Sequence, residues 1–179
     1  MERISFQTSE MREGVDLGRA YFKTEVLMKK ENQYKNLLII SCSQRKKEVK
    51  GKVRAWDLYD GAVFRVLKKI ERENSLPKNL KILILSAKYG FIKPSTLIRY
   101  YDYRLNSTSN KRAFLMGLKE HIKNDTISNV FVCLGKDYLK VLEGFEALFP
   151  NGTKFAYASG GIGLKMSHLK NWINHLAEL

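Results

Sequence analysis

The sequence predicts a single three-layer α/β domain, in which a mostly parallel sheet of about four to five strands has helices on both faces. Two observations lead to this fold class. A continuous apolar run without polar alternation is typical of a strand covered on both faces, and residues 37–41 form one. Mostly apolar runs predict further strands at residues 80–85, 130–134 and 154–159. Amphipathic segments separate these runs, and strands that alternate with helices form a parallel sheet with right-handed crossovers.

The first part of the chain differs from the rest. We expect residues 1–35 to form an N-terminal extension and residues 36–179 to form the α/β core domain. Within the extension, the letters ISFQT predict a short strand, and residues 11–34 predict a charged helix with weak periodicity. No linker rich in glycine, serine or proline divides the chain, so we expect the extension to wrap the core.

Each connection between the predicted strands contains a helix with one apolar face. Asp60 is placed to cap the first helix, and Pro77 follows its end. Ser109 or Asn110 is placed to cap the second helix and Asp137 the third, while a last helix follows the fourth strand. The apolar positions that repeat at helical spacing are Val63, Val66, Leu67, Ile70, Phe114, Leu115, Leu118, Ile122, Val141, Leu142, Phe145, Leu148, Met166, Leu169, Trp172, Ile173 and Leu176.

The charge of the chain indicates its class of partner. Thirty-two Lys and Arg against 18 Asp and Glu leave a net charge of +14, and the isoelectric point is about 9.8. Such a balance favours a polyanionic partner, so we expect the protein to bind nucleic acid, DNA or RNA. The alternative is a basic surface that is only solvated.

Cysteine usage and hydropathy exclude other classes. Cys42 and Cys133 each end an apolar run, as is common for free thiols of cytoplasmic proteins. With three scattered histidines they give no metal-ligand spacing, so we expect no metal and no cofactor. The N-terminus lacks an apolar signal region, and no apolar run approaches the roughly 20 residues of a membrane span. We therefore expect a cytoplasmic protein without a membrane partner; its oligomeric state stays open.

Polar residues or glycines follow the ends of all four predicted strands, including residues 44–47 after the first, 135–138 after the third and 160–163 after the fourth. Ligands bind at such strand ends in open α/β sheets. After the first strand, Ser41, Cys42, Ser43 and Lys46 combine hydroxyls, a thiol and a cation. This set favours binding of a phosphate or carboxylate, and the alternative is a solvated basic loop. No histidine adjoins Cys42 in sequence, so we place it among the binding residues and not as a nucleophile.

The second strand ends in Ser86, followed by Lys88, Tyr89 and Gly90. Lys88 is a candidate catalytic residue that pairs with a phosphate or polarises a leaving group. Ser86 and Tyr89 are candidates for substrate binding, the tyrosine by stacking on a base. The alternative is that Lys88 extends into solvent and Tyr89 packs at the rim of the sheet.

Residues 99–104, RYYDYR, alternate aromatic rings with charges. This pattern suits the binding of a single-stranded or flipped base, and it includes Tyr101 as a binding candidate. Asp102 is the only acid in the segment and is therefore the candidate for acid–base catalysis or charge stabilisation. Alternatively, Asp102 forms an ion pair with Arg99 or Arg104.

Two further segments contribute candidates for substrate binding. Gly160, Gly161 and Gly163 open the last predicted helix, where glycines let a ligand approach the backbone and a helix N-terminus favours anions. They follow the last strand, unlike a dinucleotide-binding fingerprint. Asp57 and Tyr59, in the stretch WDLYDG before the first core helix, are predicted to reach the crevice.

In their fixed order, these motifs resemble an uncharacterised family of microbial and phage proteins. The matching stretches are CSQRK at 42–46, LYDGAVF at 58–64, LSAKYGFIKP at 85–94, YDYRL at 101–105 and GGIG at 160–163. The LSAKYGFIKP stretch and the aromatic segment after it are also similar to the YaaA peroxide-stress proteins, which are implicated in DNA binding. In style, the motifs look like those of uracil-DNA-glycosylase-like and archaeosine-synthase-like domains, which act on bases in nucleic acid.

Taken together, the residues and the resemblance predict an enzyme that acts on a nucleotide in DNA or RNA, either a glycosidase or a base-modifying transferase. Asp102 and Lys88 are its predicted catalytic residues. One alternative is a nucleic-acid-binding protein of stress or defence without catalysis. The other is an enzyme on free nucleotides or sugar phosphates; only the polymer-binding functions would depend steeply on salt.

Overall fold

A five-stranded sheet organises the fold in the computed structural model, which describes residues 34–73, 75–105 and 110–177. The strand order is β4-β3-β1-β6-β7. The strands of this sheet are β1 (Asn36–Ser41), β3 (Leu80–Ser86), β4 (Gly90–Ile92), β6 (Asn129–Cys133) and β7 (Lys154–Tyr157). Two further strands, β2 (Lys52–Arg54) and β5 (Leu97–Arg99), pair with each other in a small antiparallel sheet.

The central strands are parallel, as the apolar runs predict. β1 pairs in parallel with β3 on one side and with β6 on the other, and β6 pairs in parallel with β7. The side chains of Leu37, Leu38, Ile39 and Ile40 are fully buried, since both faces of β1 are covered. The prediction of a mostly parallel sheet in an α/β domain is therefore confirmed.

Helices cover both faces of the sheet. They are α1 (Ala55–Leu58), α2 (Ala62–Arg72), α3 (Lys111–Ile122), α4 (Lys136–Val141), a 3₁₀ helix (Phe145–Leu148) and α5 (Ile162–Ala177). On one face, α2 and α5 pack over Leu38 and Ile40. On the other face, α3 and the 3₁₀ helix pack over Leu37 and Ile39. Alternate residues of β1 thus supply two separate cores, which gives the three layers.

The helix starts correct two predictions and confirm one. Asn110 caps α3, and its side-chain oxygen accepts a hydrogen bond from the Ala113 N–H at 3.1 Å. Asp60 and Asp137 were the wrong caps, because Gly61 and Gly135 occupy the N-cap positions of α2 and α4. Asp60 pairs instead with arginine side chains, and Asp137 lies in the first turn of α4.

The third predicted helix is divided in two. It ends as α4 and resumes as the 3₁₀ helix because Gly144 between them has a φ of +81°, which no α-helix contains. The last strand is also shorter than predicted, ending at Tyr157.

The predicted division at residue 35 stays a prediction, because the short strand and all but the last residue of the helix assigned to the extension lie outside the described residues. Among the helices that the structure describes, none is both long enough and apolar enough to cross a bilayer.

Candidate functional site

A cleft of about 300 Å³ lies where the outgoing connections of two neighbouring strands diverge. The chain leaving β1 leads to β3 on one side, and the chain leaving β6 leads to β7 on the other. Such a switch point at the carboxyl ends of parallel strands is the usual ligand site of an open α/β sheet. The cleft is lined by residues 42–44 and Lys46 after β1, by Asp137 and Tyr138 after β6, and by residues 102–105. We call it the switch cleft.

The switch cleft combines two carboxylates with two cations. Asp102 and Asp137 are exposed, and Lys46 and Arg104 line the same cavity. In the described ranges 34–73, 75–105 and 110–177, neither aspartate forms a salt bridge, so the alternative pairing of Asp102 with an arginine has no support there. Two carboxylates in one cleft can divide acid and base roles between them.

A thiol and a phenol meet at the base of the cleft. The Cys42 thiol and the Tyr138 hydroxyl are hydrogen-bonded, with 3.1 Å between sulfur and oxygen. The Cys42 N–H donates to the Leu85 carbonyl at 2.9 Å, which extends the pairing of β1 with β3 by one residue. Burial raises the pKa of the Tyr138 phenol well above its usual range, and the nearby thiol adds to this effect. Tyr138 therefore keeps its proton and can donate a hydrogen bond.

Beneath the 102–105 segment lies a buried network of hydroxyls. The Tyr101 hydroxyl is 2.7 Å from the Tyr59 hydroxyl and 2.8 Å from the Ser86 oxygen. Ser86 also accepts hydrogen bonds from the backbone N–H groups of Lys88 at 3.3 Å and Tyr89 at 3.2 Å. Tyr59 and Ser86 are fully buried and Tyr101 is 5% exposed. These three predicted binding residues support the segment that carries Asp102.

Two lysines lie over the tyrosine rings. The Lys46 ammonium is 4.5 Å from the centre of the Tyr101 ring, and the Lys88 ammonium is 5.6 Å from the same ring and 5.5 Å from that of Tyr89. Cations within about 6 Å of a ring face are attracted to it. Both ammonium groups are thereby kept close to the aromatic segment.

A second cavity of about 470 Å³ adjoins the switch cleft. Lys88, Tyr89 and Gly90 line it from the end of β3, and Ala113, Phe114 and Gly117 line it from α3. Tyr103 lines both cavities. We call this space the α3 cavity.

The remaining predicted residues lie at different distances from the two cavities. Ser43 lines the switch cleft and donates a hydrogen bond to the Arg45 carbonyl at 2.6 Å. Position 61 requires a glycine, because a Cβ at Gly61 would lie 2.5 Å from the Ser43 hydroxyl oxygen. Ser41 is half-buried at the end of β1. The glycines at 160, 161 and 163 are exposed and line neither cavity.

Several lining residues escaped the sequence prediction. The segments that contain them were predicted to border the site, but Gln44, Tyr103, Arg104, Asp137 and Tyr138 were not named individually as site residues. A signal existed for all of them. They either follow directly on a predicted strand end or belong to the aromatic segment, and the strand-end rule covers every residue of such a loop and not only its hydroxyls.

The buried tyrosines predict a loss of stability at high pH. Burial raises the pKa of Tyr59 to about 12, and it raises the pKa of Tyr101 further. The unfolded chain ionises its tyrosines near pH 10, whereas the folded state keeps these protons. The unfolding free energy should therefore fall as the pH rises above about 10, by up to about 1.4 kcal/mol per pH unit for each such tyrosine.

Urea unfolding of the wild type and of Tyr59→Phe across this range tests the prediction. We expect Tyr59→Phe to be the less stable protein near neutral pH, because it loses a hydrogen bond to Tyr101. Its stability should then decline less steeply above pH 10 than that of the wild type. Parallel curves for the two proteins would contradict the prediction.

Comparison with known proteins gives a family without an assigned activity. The model of the Family of unknown function (DUF6884) matches residues 37–171, a range that contains both cavities. No curated protein matches the chain. One solved structure that matches is the crystal structure of AF0587, a protein of unknown function, at 16% identity and a TM-score of 0.46. The match covers 78% of this chain and 44% of that one, so the chain spans less than half of that protein's length.

Proposed function

The chain belongs to the Family of unknown function (DUF6884), and we propose that it is an enzyme acting on a nucleotide within a nucleic acid, at the bond between sugar and base. One observation carries the proposal. The switch cleft brings Asp102 and Asp137 together with Lys46, Arg104 and a half-exposed Tyr103. The two aspartates would act in the reaction, and the two cations and the tyrosine would bind a polyanion that carries aromatic bases.

The charge and the aromatic surface of the cleft suit it to binding a nucleic acid. The chain has a net charge of +14, and two of its cationic side chains, Lys46 and Arg104, line the cleft. Cationic side chains bind phosphate oxygens through short, charge-assisted hydrogen bonds. Tyr103 is 48% exposed, so its ring is accessible for stacking on a base. A cavity of about 300 Å³ is at the lower end of the range for small-molecule sites, which suits one nucleotide unit.

The proposed reaction needs two carboxylates. As the bond from the sugar carbon C1′ to the base nitrogen breaks, its electron pair leaves with the base and positive charge develops on the sugar. One carboxylate stabilises that charge. The other accepts a proton from a water molecule as the water oxygen bonds to C1′, and this proton then passes to the departing base. In a base-modifying transferase, an incoming base takes the place of the water.

The other predicted residues have supporting roles in this proposal. Tyr138 holds Cys42 and donates to the substrate, and Lys46 binds phosphate. The Ser43 hydroxyl donates to the Arg45 carbonyl and so positions the loop instead. Lys88 lines the α3 cavity and not the switch cleft, which favours substrate binding over chemistry for this lysine. Both free cysteines agree with a reducing compartment such as the cytoplasm. The motif pattern predicted from the sequence, which resembles that of base-acting α/β domains, favours the same reaction class.

Product analysis on polymers tests the proposal. Single-stranded DNA, duplex DNA and tRNA are incubated with the wild type and with the double variant Asp102→Asn/Asp137→Asn, and free base and strand mass are measured. We expect the wild type to release or exchange a base and the double variant to do neither while still binding. Salt-dependent binding without any product would favour the non-enzymatic alternative. Turnover of free nucleotides alone would favour an enzyme on free nucleotides or sugar phosphates.

A further inference from the structure

We infer that the α3 cavity binds the nucleotide next to the reacting one, so that the substrate is a single strand of at least two nucleotides. This inference rests on the proposed function, which places the reacting nucleotide in the switch cleft. To the proposed function it adds a second binding site, a polymer substrate and a preference for single-stranded over double-stranded nucleic acid.

The two cavities adjoin, and both have room for a nucleotide unit. Their volumes are about 300 Å³ and about 470 Å³, and Tyr103 belongs to the lining of each. A free nucleotide would fill only one of them. Consecutive units of a strand can fill both, since the backbone between them would pass the exposed ring of Tyr103.

Each cavity has its own cation beside one shared ring. Lys46 lines the switch cleft and Lys88 lines the α3 cavity, and their ammonium groups lie 4.5 Å and 5.6 Å from the centre of the Tyr101 ring. Two cations held near one buried anchor suit two successive phosphates.

The chemistry of the α3 cavity suits binding without reaction. Tyr89 is held against the Tyr101 ring at 5.3 Å and 86°, so one aromatic wall of the cavity is fixed. Tyr103 supplies a second ring, and stacking on such rings accepts any base. Among the described residues that line the cavity, none is acidic, in contrast to the two aspartates of the switch cleft.

The geometry of bases favours a single-stranded substrate over a duplex. In a duplex, neighbouring bases are stacked and paired, so they cannot enter two separate cavities. Bases of a single strand can separate and stack on aromatic side chains instead. The α3 cavity therefore selects single-stranded DNA or RNA.

Binding as a function of ligand length tests this inference. The probes are a nucleoside monophosphate, a dinucleotide, a single strand of about ten nucleotides and the same sequence as a duplex, measured by fluorescence anisotropy or competition over a salt series. We expect the dinucleotide to bind at least about tenfold more tightly than the monophosphate, and the duplex to bind more weakly than the single strand.

Two variants of the α3 cavity and one control locate the effect. Lys88→Ala should weaken binding of the single strand about tenfold and lower the salt slope by roughly 0.7, while binding of the monophosphate is unchanged. Gly117→Leu should remove the length advantage by filling the cavity, where a Cβ has only an ordinary 4.0 Å contact to Phe91. The control Lys93→Ala removes an exposed lysine that lines a different cavity and should change neither.

The outcomes separate this inference from the proposed function. Equal affinity for the monophosphate and the longer strands, or equal loss for both in Lys88→Ala, overturns the α3 cavity as a nucleotide site. Base release that persists in that case leaves the proposed function standing. Length-dependent binding that depends on Lys88, but with no base release, supports the second site and overturns the reaction. No binding of any probe overturns both.

Discussion

Asp102→Asn is expected to lower kcat for base release by about 10²–10⁴-fold without weakening the binding of single-stranded oligonucleotides. Asparagine has nearly the same size as aspartate but cannot accept a proton or stabilise positive charge as an anion does. Removal of a negative charge from a site for a polyanion should, if anything, strengthen binding. A loss in kcat with an unchanged KM is the pattern of an interaction made only in the transition state.

The second carboxylate provides a parallel test. Asp137→Asn should also lower kcat, because the proposed reaction needs both carboxylates as anions. The matched control is Asp57→Asn, since Asp57 lies in α1 and pairs with Arg54 at 2.7 Å outside both cavities. Full turnover by Asp102→Asn would remove its catalytic role, and equal losses in all three variants would indicate a general effect of charge.

Burial and periodicity made most of the fold predictable. The four parallel strands are mostly apolar, and β1 has four fully buried residues in a row, which leaves few alternatives to a central strand. β4 was missed because it has three residues and follows β3 after a tight turn, so no run of its own marks it. The same holds for β2 and β5, whose three-residue strands pair with each other across 42 intervening residues of chain.

The site was predictable in position but not in the direction of its side chains. Strand ends identified the loops after β1 and β3, and the aromatic segment identified Asp102. Whether a polar group lines a cleft or lies beneath it depends on partners far away in sequence. Tyr101 is buried because its hydroxyl meets Tyr59, 42 residues away, and Ser86, 15 residues away. No local sequence pattern predicts such long-range contacts.

The strand order explains the position of the glycine turn. Sequence alone placed Gly160 and its neighbours with the other strand ends, as if all four ends met at one point. β7 is the outermost strand on its side of the sheet, so its end is separated from the end of β1 by β6. Sheet order is a property of the crossover connections, and apolar runs do not reveal it.

A largely buried ion pair at the amino ends of the strands predicts the largest effect on stability. Lys81 is near the start of β3, and its ammonium bonds to the carboxylate of Asp125 and to the carbonyl of His121 at the end of α3. The two side chains are only 12% and 9% exposed. Lys81→Met should lower the free energy of unfolding by about 3–5 kcal/mol, because it leaves a buried carboxylate without its partner.

Urea unfolding of three variants checks the prediction and its cause. The double variant Lys81→Met/Asp125→Leu should recover most of the loss, since two apolar residues leave no uncompensated charge. Lys123→Met breaks an exposed pair with Glu120 at 2.8 Å and should cost less than about 1 kcal/mol. A loss in Lys81→Met no greater than in Lys123→Met would contradict the assignment.

Because Lys81 lies at the amino ends of the strands and the switch cleft lies at their carboxyl ends, Lys81→Met should keep its kcat wherever it remains folded. The stability of the sheet and the chemistry of the cleft can thus be changed independently.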